Sequence, residues 1–270
     1  MKMRIQNATG AHSPLFVNSV NKAVAVLNAF SRERPVLTLT AIARLAALDK
    51  GTAQRYLYTL QRLGLVRESE QTKRYSLSVK LLDFCYAYGS GDDLIERAQP
   101  FMVDAHEKST ATVNLMVLDG ADIILVARIP SRHVSTTNIQ VGFRMPALYS
   151  ATGRAIVSRL DRKERDRVIR NTEYHPYTDK SVSGPGEVRI LLDRAAREGF
   201  VLTQSQYFQG DISIASAVVG RSSSVVGAIS LSVQEVRVTL EEATKKLIPL
   251  TMETARKVSR AMGAPSSSEM

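Results

Sequence analysis

Apolar residues recur at helical spacing in three short blocks near the start of the chain. Val20, Ala23, Val24, Leu27 and Phe30 form the first, and Ser19 is placed to cap a helix over Val20–Phe30. Pro35 marks a loop, and Ile42, Ala43 and Ala46 form the second block behind Thr40 as its cap. After the turn Ala47-Leu48-Asp49-Lys50-Gly51, the spacing predicts a third helix over Thr52–Leu63. Its stripe is Ala53, Leu57, Leu60 and Leu63, and Gly64 stops it. Leu65–Arg67 and Tyr75–Leu77 read as short strands around the polar tip Glu68–Arg74. Helix, helix, turn, helix, hairpin is the order of a winged helix-turn-helix.

A helical run over Leu81–Tyr88 follows and ends at Gly89-Ser90-Gly91-Asp92, which reads as a linker helix. Its stripe of Leu81, Phe84 and Tyr88 suits either a dimer contact or a contact within the chain. Leu94–Ser109 is another amphipathic helix. The period then changes. Thr112–Leu118 and Asp122–Ile129 are β-rich and joined by Asp119-Gly120, a strong hairpin signal. Val134–Ile139 is a candidate third strand. Helices are expected over Ser150–Leu160, Arg162–Asn171 and Glu187–Glu198, the last stopped by Gly199 and preceded by the loop Ser183–Gly186. Strands are expected over Phe200–Thr203, Ile212–Val219 and Val225–Val233, before a closing helix over Leu240–Met262. Strands and helices of this part belong to one α+β domain.

The 270 residues suit two modest domains, and a 44% hydrophobic fraction allows each a core. The charge is uneven. Residues 1–80 carry 13 Lys and Arg against 4 Asp and Glu, whereas 81–270 carry 23 against 22. A basic head on a near-neutral body points to a polyanion partner, with a solvated basic surface as the plainer alternative. The single cysteine, Cys85, lies in the run LLDFCYAY and reads as a small buried hydrophobe; no disulfide framework is available. No run of about 18 apolar residues exists, and MKMRIQNATGAHSP lacks an apolar signal core, so a cytoplasmic protein with no membrane contact is expected.

Catalytic and metal chemistry find little support. His12, His106, His133 and His175 are scattered and suit ordinary surface positions, so no metal and no cofactor is expected. There is no nucleophile elbow and no phosphate-binding glycine loop, and no catalytic residue is assigned. The charged run Asp161–Arg170 reads as a solvated helix face with i,i+4 pairing.

The polar face of the third helix carries Thr52, Gln54, Arg55, Tyr58, Thr59 and Arg62. Residues near the start of such a helix meet base edges, where Gln and Arg make paired contacts and Thr meets a thymine methyl or a phosphate. Arg44 and Lys50 fall near phosphates. In the hairpin Arg67, Lys73 and Arg74 suit phosphates, while Glu68 and Glu70 at the tip would repel them, so the strand ends are expected to touch DNA. An ordinary polar helix face explains the third helix alone almost as well. The short preceding helix, the turn, the hairpin and the local charge together favour double-stranded DNA.

The chain resembles the IclR-type bacterial transcriptional regulators. The resemblance rests on VNSVNKAVAVLNAF…LTAIARLAALDKGTAQRYLYTLQRLGLV with RYSLSVKLLDF after it, on VARIPSRH…VGFRMPALYSATGRAIVSRL, and on REGFVLTQSQYFQGDISIASAVV…VVGAISLSV. These stretches run from about residue 17 to residue 262. The resemblance implies a winged helix-turn-helix domain over 17–79, a linker helix over 80–92 and a GAF-like effector-binding domain over 93–263. Disordered tails are expected at 1–16 and 264–270. It also implies a homodimer or homotetramer on a palindromic operator, whose DNA affinity changes when a small organic acid binds. The VGFRMPALYSATGR stretch looks most like the branch that senses aromatic acids.

The late strands suggest where an acid would sit. Ser213, Ala215 and Ala217 alternate against Ile212, Ile214 and Val218, and Ala228, Ser230 and Ser232 against Ile229, Leu231 and Val233. Paired, these strands give one apolar face and one small, weakly polar face, whose hydroxyls suit a carboxylate in a concavity or else simply face solvent. By resemblance, backbone N–H groups of Ser150, Ala151 and Thr152 hold the acid, with Thr203, Ser213, Ser230 and Ser232 facing it. Thr203 stands where the glyoxylate-sensing pattern has Asp and Ser213 where it has Cys, which argues against glyoxylate or pyruvate. Asn114, Phe143 and Met145 are further candidate lining residues. Arg128 and Arg144 are read as surface salt-bridge partners before carboxylate ligands.

The expected function is a ligand-responsive regulator, repressor or activator, in which the sensor shifts two winged helices relative to half-sites about one helical turn, roughly 34 Å, apart. Two rivals stay open: an architectural DNA-binding protein with a ligand-free body, and a small-molecule enzyme tethered to DNA.

Overall fold

The computed structural model of the chain describes residues 13–131 and 139–265. It divides into two compact units, one ending at Gly91 and one beginning at Asp92.

The first unit contains α1 (Asn18–Leu27), β1 (Val36–Thr38), α2 (Leu39–Leu45), α3 (Lys50–Arg62), β2 (Val66–Glu68), β3 (Arg74–Leu77) and α4 (Leu81–Ser90). Val26, Phe30, Ile42, Leu57, Leu60 and Val66 form its core. All three helix starts differ from expectation. Ser19 lies inside α1, whose first turn closes on the Val17 carbonyl with no side-chain cap. Thr38, not Thr40, caps α2 by accepting from the Ala41 N–H. Asp49, assigned to the turn, caps α3 by accepting from the Thr52 N–H at 2.8 Å, so the helix begins two residues early. Leu63 falls on the predicted stripe yet is 55% exposed, because the helix has ended there and Gly64 turns the chain at φ 76°.

The hairpin forms, and β1, too short for any periodic signal, adds to it in the order β1-β3-β2. No residue of α4 is buried: Leu82, Phe84, Tyr86 and Tyr88 are exposed, and so is Cys85, contrary to its reading as a core residue. An apolar run looks internal by composition alone, but a lone helix has nothing in its own unit to bury it.

The second unit contains α5 (Asp93–Ser109), β4 (Thr112–Asp119), β5 (Asp122–Ile129), β6 (Arg144–Pro146), α6 (Ala151–Val157), α7 (Arg162–Asn171), α8 (Pro185–Glu198), β7 (Val201–Gln204), β8 (Asp211–Val219), β9 (Val225–Gln234) and α9 (Leu240–Ala261). Six strands form one antiparallel sheet in the order β6-β5-β4-β9-β8-β7. The candidate strand Val134–Ile139 lies outside the described residues except for Ile139, and the β5 edge is covered by β6.

Each sheet face builds its own core. Ile212, Ile214, Val218, Ile229 and Leu231 pack with Leu94, Met102, Leu247 and Ala255 of α5 and α9. On the opposite face Met116, Ala215 and Ala228 meet Ala151, Ala155 and Ile156 of α6, backed by Val188 and Leu192 of α8. The helices α7 and α8 are tied by Arg165–Asp193 and Arg189–Asp166 salt bridges. The run 161–170 therefore pairs across to a neighbouring helix; among the described residues no i,i+4 bridge within α7 is present. The architecture is an N-terminal helix-turn-helix unit with a wing and a C-terminal mixed helix-and-sheet unit.

Candidate functional site

In the first unit, α3 turns Ala53, Leu57 and Leu60 inward and leaves Gln54, Arg55, Tyr58, Thr59 and Arg62 exposed, with Thr52 half-buried at its first turn. Arg44 at the end of α2 and Lys50 at the start of α3 are exposed beside them. Among the described residues Arg44, Lys50, Arg55, Arg62, Lys73 and Arg74 make no salt bridge, so these cations keep their charge unneutralised. Thr59 is less available than its exposure suggests, because its hydroxyl donates to the Arg55 carbonyl at 3.0 Å. Arg67 is tied within the wing, its Nε donating to Ser76 Oγ at 2.9 Å. Glu68 is not at the wing tip: it lies in β2 opposite Tyr75, and burial together with this carboxylate raises the Tyr75 hydroxyl above its ordinary value. The repulsive charge at the tip is thus Glu70 alone.

In the second unit, the small face of β8 and β9 opens onto a cavity of about 290 Å³. Register explains its chemistry. Thr112, Ser232, Ser213 and Thr203 are successive cross-strand partners on β4, β9, β8 and β7, and in the next row Arg128, Asn114 and Ser230 cross β5, β4 and β9. The first row carries four hydroxyls on one sheet face. Ser232 Oγ donates to Ser213 Oγ at 3.0 Å, and Thr203 Oγ1 donates to the Ser213 carbonyl at 3.4 Å. Asn114 Nδ2 donates to Ser230 Oγ at 3.4 Å, and Asn114 Oδ1 is buried without a partner among the described residues.

The opposite wall is the start of α6. Ser150 caps the helix, its Oγ accepting from the Gly153 N–H at 2.9 Å and donating to the Ala147 carbonyl. Its hydroxyl is therefore spent on the turn, and what the helix start offers is the backbone of Ala151 and Thr152. Arg154, 1% exposed, reaches back from α6 to the Ser150 carbonyl and to Gln206 Oε1. Burial pulls its guanidinium down to about 10, against the pull of Glu187.

Asn114, Met145, Ser150, Ala151, Thr152, Thr203, Ser213, Ser230 and Ser232 all line this one cavity. Phe143 does not: it packs, half-buried, against the core with its ring 6.0 Å from that of Phe208, which does line the space. The two arginines part company. Arg144 makes salt bridges to Asp119 and Asp122, as a surface partner should. Arg128 instead lines the cavity, and burial lowers its pKa while the Asp211 charge opposes that shift. Tyr149, Gln206, Tyr207, Phe208 and Asp211 also line it and were missed. Only the alternation of Asp211 with Ser213 along one strand could have signalled any of them. Among the described residues no cluster of three metal-ligating side chains occurs, and no helix is long and apolar enough to cross a membrane.

Comparison with known proteins places both units. Residues 86–260 match the family of bacterial transcriptional regulator IclR C-terminal domains, and residues 19–70 match the IclR helix-turn-helix domain. The chain is similar to the Pca regulon regulatory protein of Pseudomonas putida, with 26% identity covering 94% of this chain and 86% of that one. Among solved structures, it is similar to a transcriptional regulator from Rhodococcus sp. RHA1, with a TM-score of 0.79 and 28% identity over 92% of this chain and 98% of that one. An IclR homolog from Microbacterium hydrocarbonoxydans, crystallised with 4-hydroxybenzoate, shares the fold with a TM-score of 0.75 at 20% identity, over 90% of this chain and 98% of that one.

Proposed function

Because the chain belongs to the IclR family of bacterial transcriptional regulators, we propose that it reads a palindromic operator with α3 and adjusts that binding when a small carboxylic acid enters the cavity of its second unit. The observation that carries the sensor half is the cavity itself. It brings nine residues from β4, β6, the cap and first turn of α6, β7, β8 and β9 around about 290 Å³, enough for an acid the size of a substituted benzoate. The carboxylate is assigned to the Ala151 and Thr152 N–H groups, and the sheet hydroxyls Thr203, Ser213, Ser230 and Ser232 face the rest of the molecule. Tyr149, Tyr207 and Phe208 supply flat apolar walls, which favours an aromatic acid, in keeping with the 4-hydroxybenzoate held by one IclR homolog.

For DNA, the assignment is Gln54 and Arg55 to base edges, with Thr52, Tyr58 and Arg62 flanking them and Arg44, Lys50, Lys73 and Arg74 on phosphates. Thr59 and Arg67, whose polar groups are engaged within the protein, contribute less. The exposed Leu82, Phe84, Tyr86 and Tyr88 of α4 support pairing of two copies there, as a two-fold operator requires. An acid shifts DNA affinity only by the difference in its affinity for the two arrangements of such a pair.

The test is a thermal-shift screen of the full chain against aliphatic and aromatic carboxylic acids, followed by operator binding with and without any acid that stabilises it. Saturable stabilisation is expected, since a ligand bound only by the folded state raises its melting temperature. A flat response to every acid would leave the DNA-binding half standing and remove the sensor half.

A further inference from the structure

One acidic side chain in the cavity has no task in the fold. Asp211 opens β8, opposite Gln234 on β9, and its backbone is fully used: its N–H donates to Phe208 and its carbonyl accepts from Ser205. Its carboxyl lines the cavity, yet among the described residues it accepts no hydrogen bond and forms no salt bridge. The neighbouring Glu235 differs, because its Oε1 accepts from Ser205 Oγ at 2.9 Å. Arg128 faces Asp211 from β5 and acts on it through charge alone, and burial outweighs that attraction, pushing the Asp211 carboxyl up to about 7. A second acceptor in the same cavity, Asn114 Oδ1, is likewise without a donor among the described residues.

A buried acceptor without a donor is costly, and a cavity that sets the sealed Asn114 Oδ1 beside the half-buried, unpartnered carboxyl of Asp211 is complementary to a ligand that brings donors. A plain monocarboxylate brings none. We propose that Asp211 selects the ligand: it accepts a hydrogen bond from a hydroxyl on the part of the acid remote from its carboxylate, so that the chain responds to hydroxy acids in preference to their unsubstituted counterparts. The row of Thr112, Ser232, Ser213 and Thr203 runs beside this point and gives additional hydroxyls the partners they need. Asn114 Oδ1 is the second acceptor for such a group. This inference rests on the reading of the cavity as an acid site, and it says which acids.

The experiment is isothermal titration of the full chain with matched acids: benzoate against 4-hydroxybenzoate and 3,4-dihydroxybenzoate, and hexanoate against gluconate. In at least one pair the hydroxylated member is expected to bind about 10- to 100-fold more tightly, the worth of a hydrogen bond to a charged group. Asp211→Ala should bring its affinity down to that of the unsubstituted acid, and Asp211→Asn, which keeps a carbonyl acceptor, should retain part of the preference. Melting temperatures of both variants check that they fold. Equal affinity within every pair, or a preference that survives Asp211→Ala, overturns the assignment while leaving the acid site in place. Binding by no acid of either kind, with operator binding intact, overturns the acid site itself and this inference with it.

Discussion

Gly153, at the first turn of α6, lies against the backbone of Ala147, so close that a Cβ at position 153 would overlap the Ala147 carbonyl and Cα. The contact packs the 3-10 turn Ala147–Tyr149 against the first turn of the helix whose start lines the cavity. Gly153→Ala should therefore cost about 1–3 kcal/mol of stability, as overpacking does in a closed core, read as a lower urea midpoint. Alanine is the better helix former, so a neutral or stabilising result would show that the turn can move aside.

Arg55→Ala should weaken specific operator binding by about 1–3 kcal/mol while leaving the salt dependence nearly intact, because a base contact is lost and not a phosphate contact. Arg74→Ala should do the reverse, lowering affinity on all sequences and reducing the slope of log K against log salt by about one. Fluorescence anisotropy on operator and scrambled duplexes at several salt concentrations separates the two. Identical behaviour of the two variants would argue against reading α3 as the base-contacting element.

Ser213 and Ser230 sit on adjacent strands, one row apart on the cavity face. Ser213→Ala combined with Ser230→Ala should abolish the response to an acid ligand and leave operator affinity unaltered, since both hydroxyls belong to the cavity of the second unit and the DNA-reading helix to the first. Parallel thermal-shift and anisotropy titrations check this. Loss of both properties together would mean that the pair serves folding.

The Asp211 carboxyl makes the stability of the protein depend on pH in a stated direction. Its folded value, raised to about 7, lies above that of an ordinary aspartate near 3.8, so between these two pH values the folded state holds more protons than the unfolded one. Asp211 therefore removes stability progressively as pH rises from about 4 to about 7, and its full cost is present above 7. Asp211→Asn should raise the melting temperature more at pH 8 than at pH 5. An equal shift at both values would show that the carboxyl titrates normally, with its charge matched by Arg128.

The order of elements was within reach of the sequence because it depends on local chemistry. Helical spacing in the first unit, strict alternation in β8 and β9, and the Asp119-Gly120 turn are properties of neighbours along the chain. They sufficed for the winged head, the α+β body and the small-residue face that lines the cavity. Several helix starts were misplaced by one or two residues because hydroxyl and carboxylate residues compete to cap a helix, and the winner is set by where the preceding segment comes to rest. Thr38 prevails because β1 pairs with β3, a partner nearly forty residues away in sequence.

Tertiary structure alone decided which distant residues share the cavity and which side chains stay exposed. Cys85 and its apolar neighbours remain at the surface because no element of their unit covers α4. Phe143 packs half-buried against the core while Phe208 takes the wall. Arg128, to all appearance a surface residue, is carried over the sheet by its register opposite Asn114, and Asp211 meets it from three strands away. Periodicity reports which face a residue occupies, since that follows from the local backbone. It is silent on what lies across that face, since this depends on the pairing of strands joined by long connections.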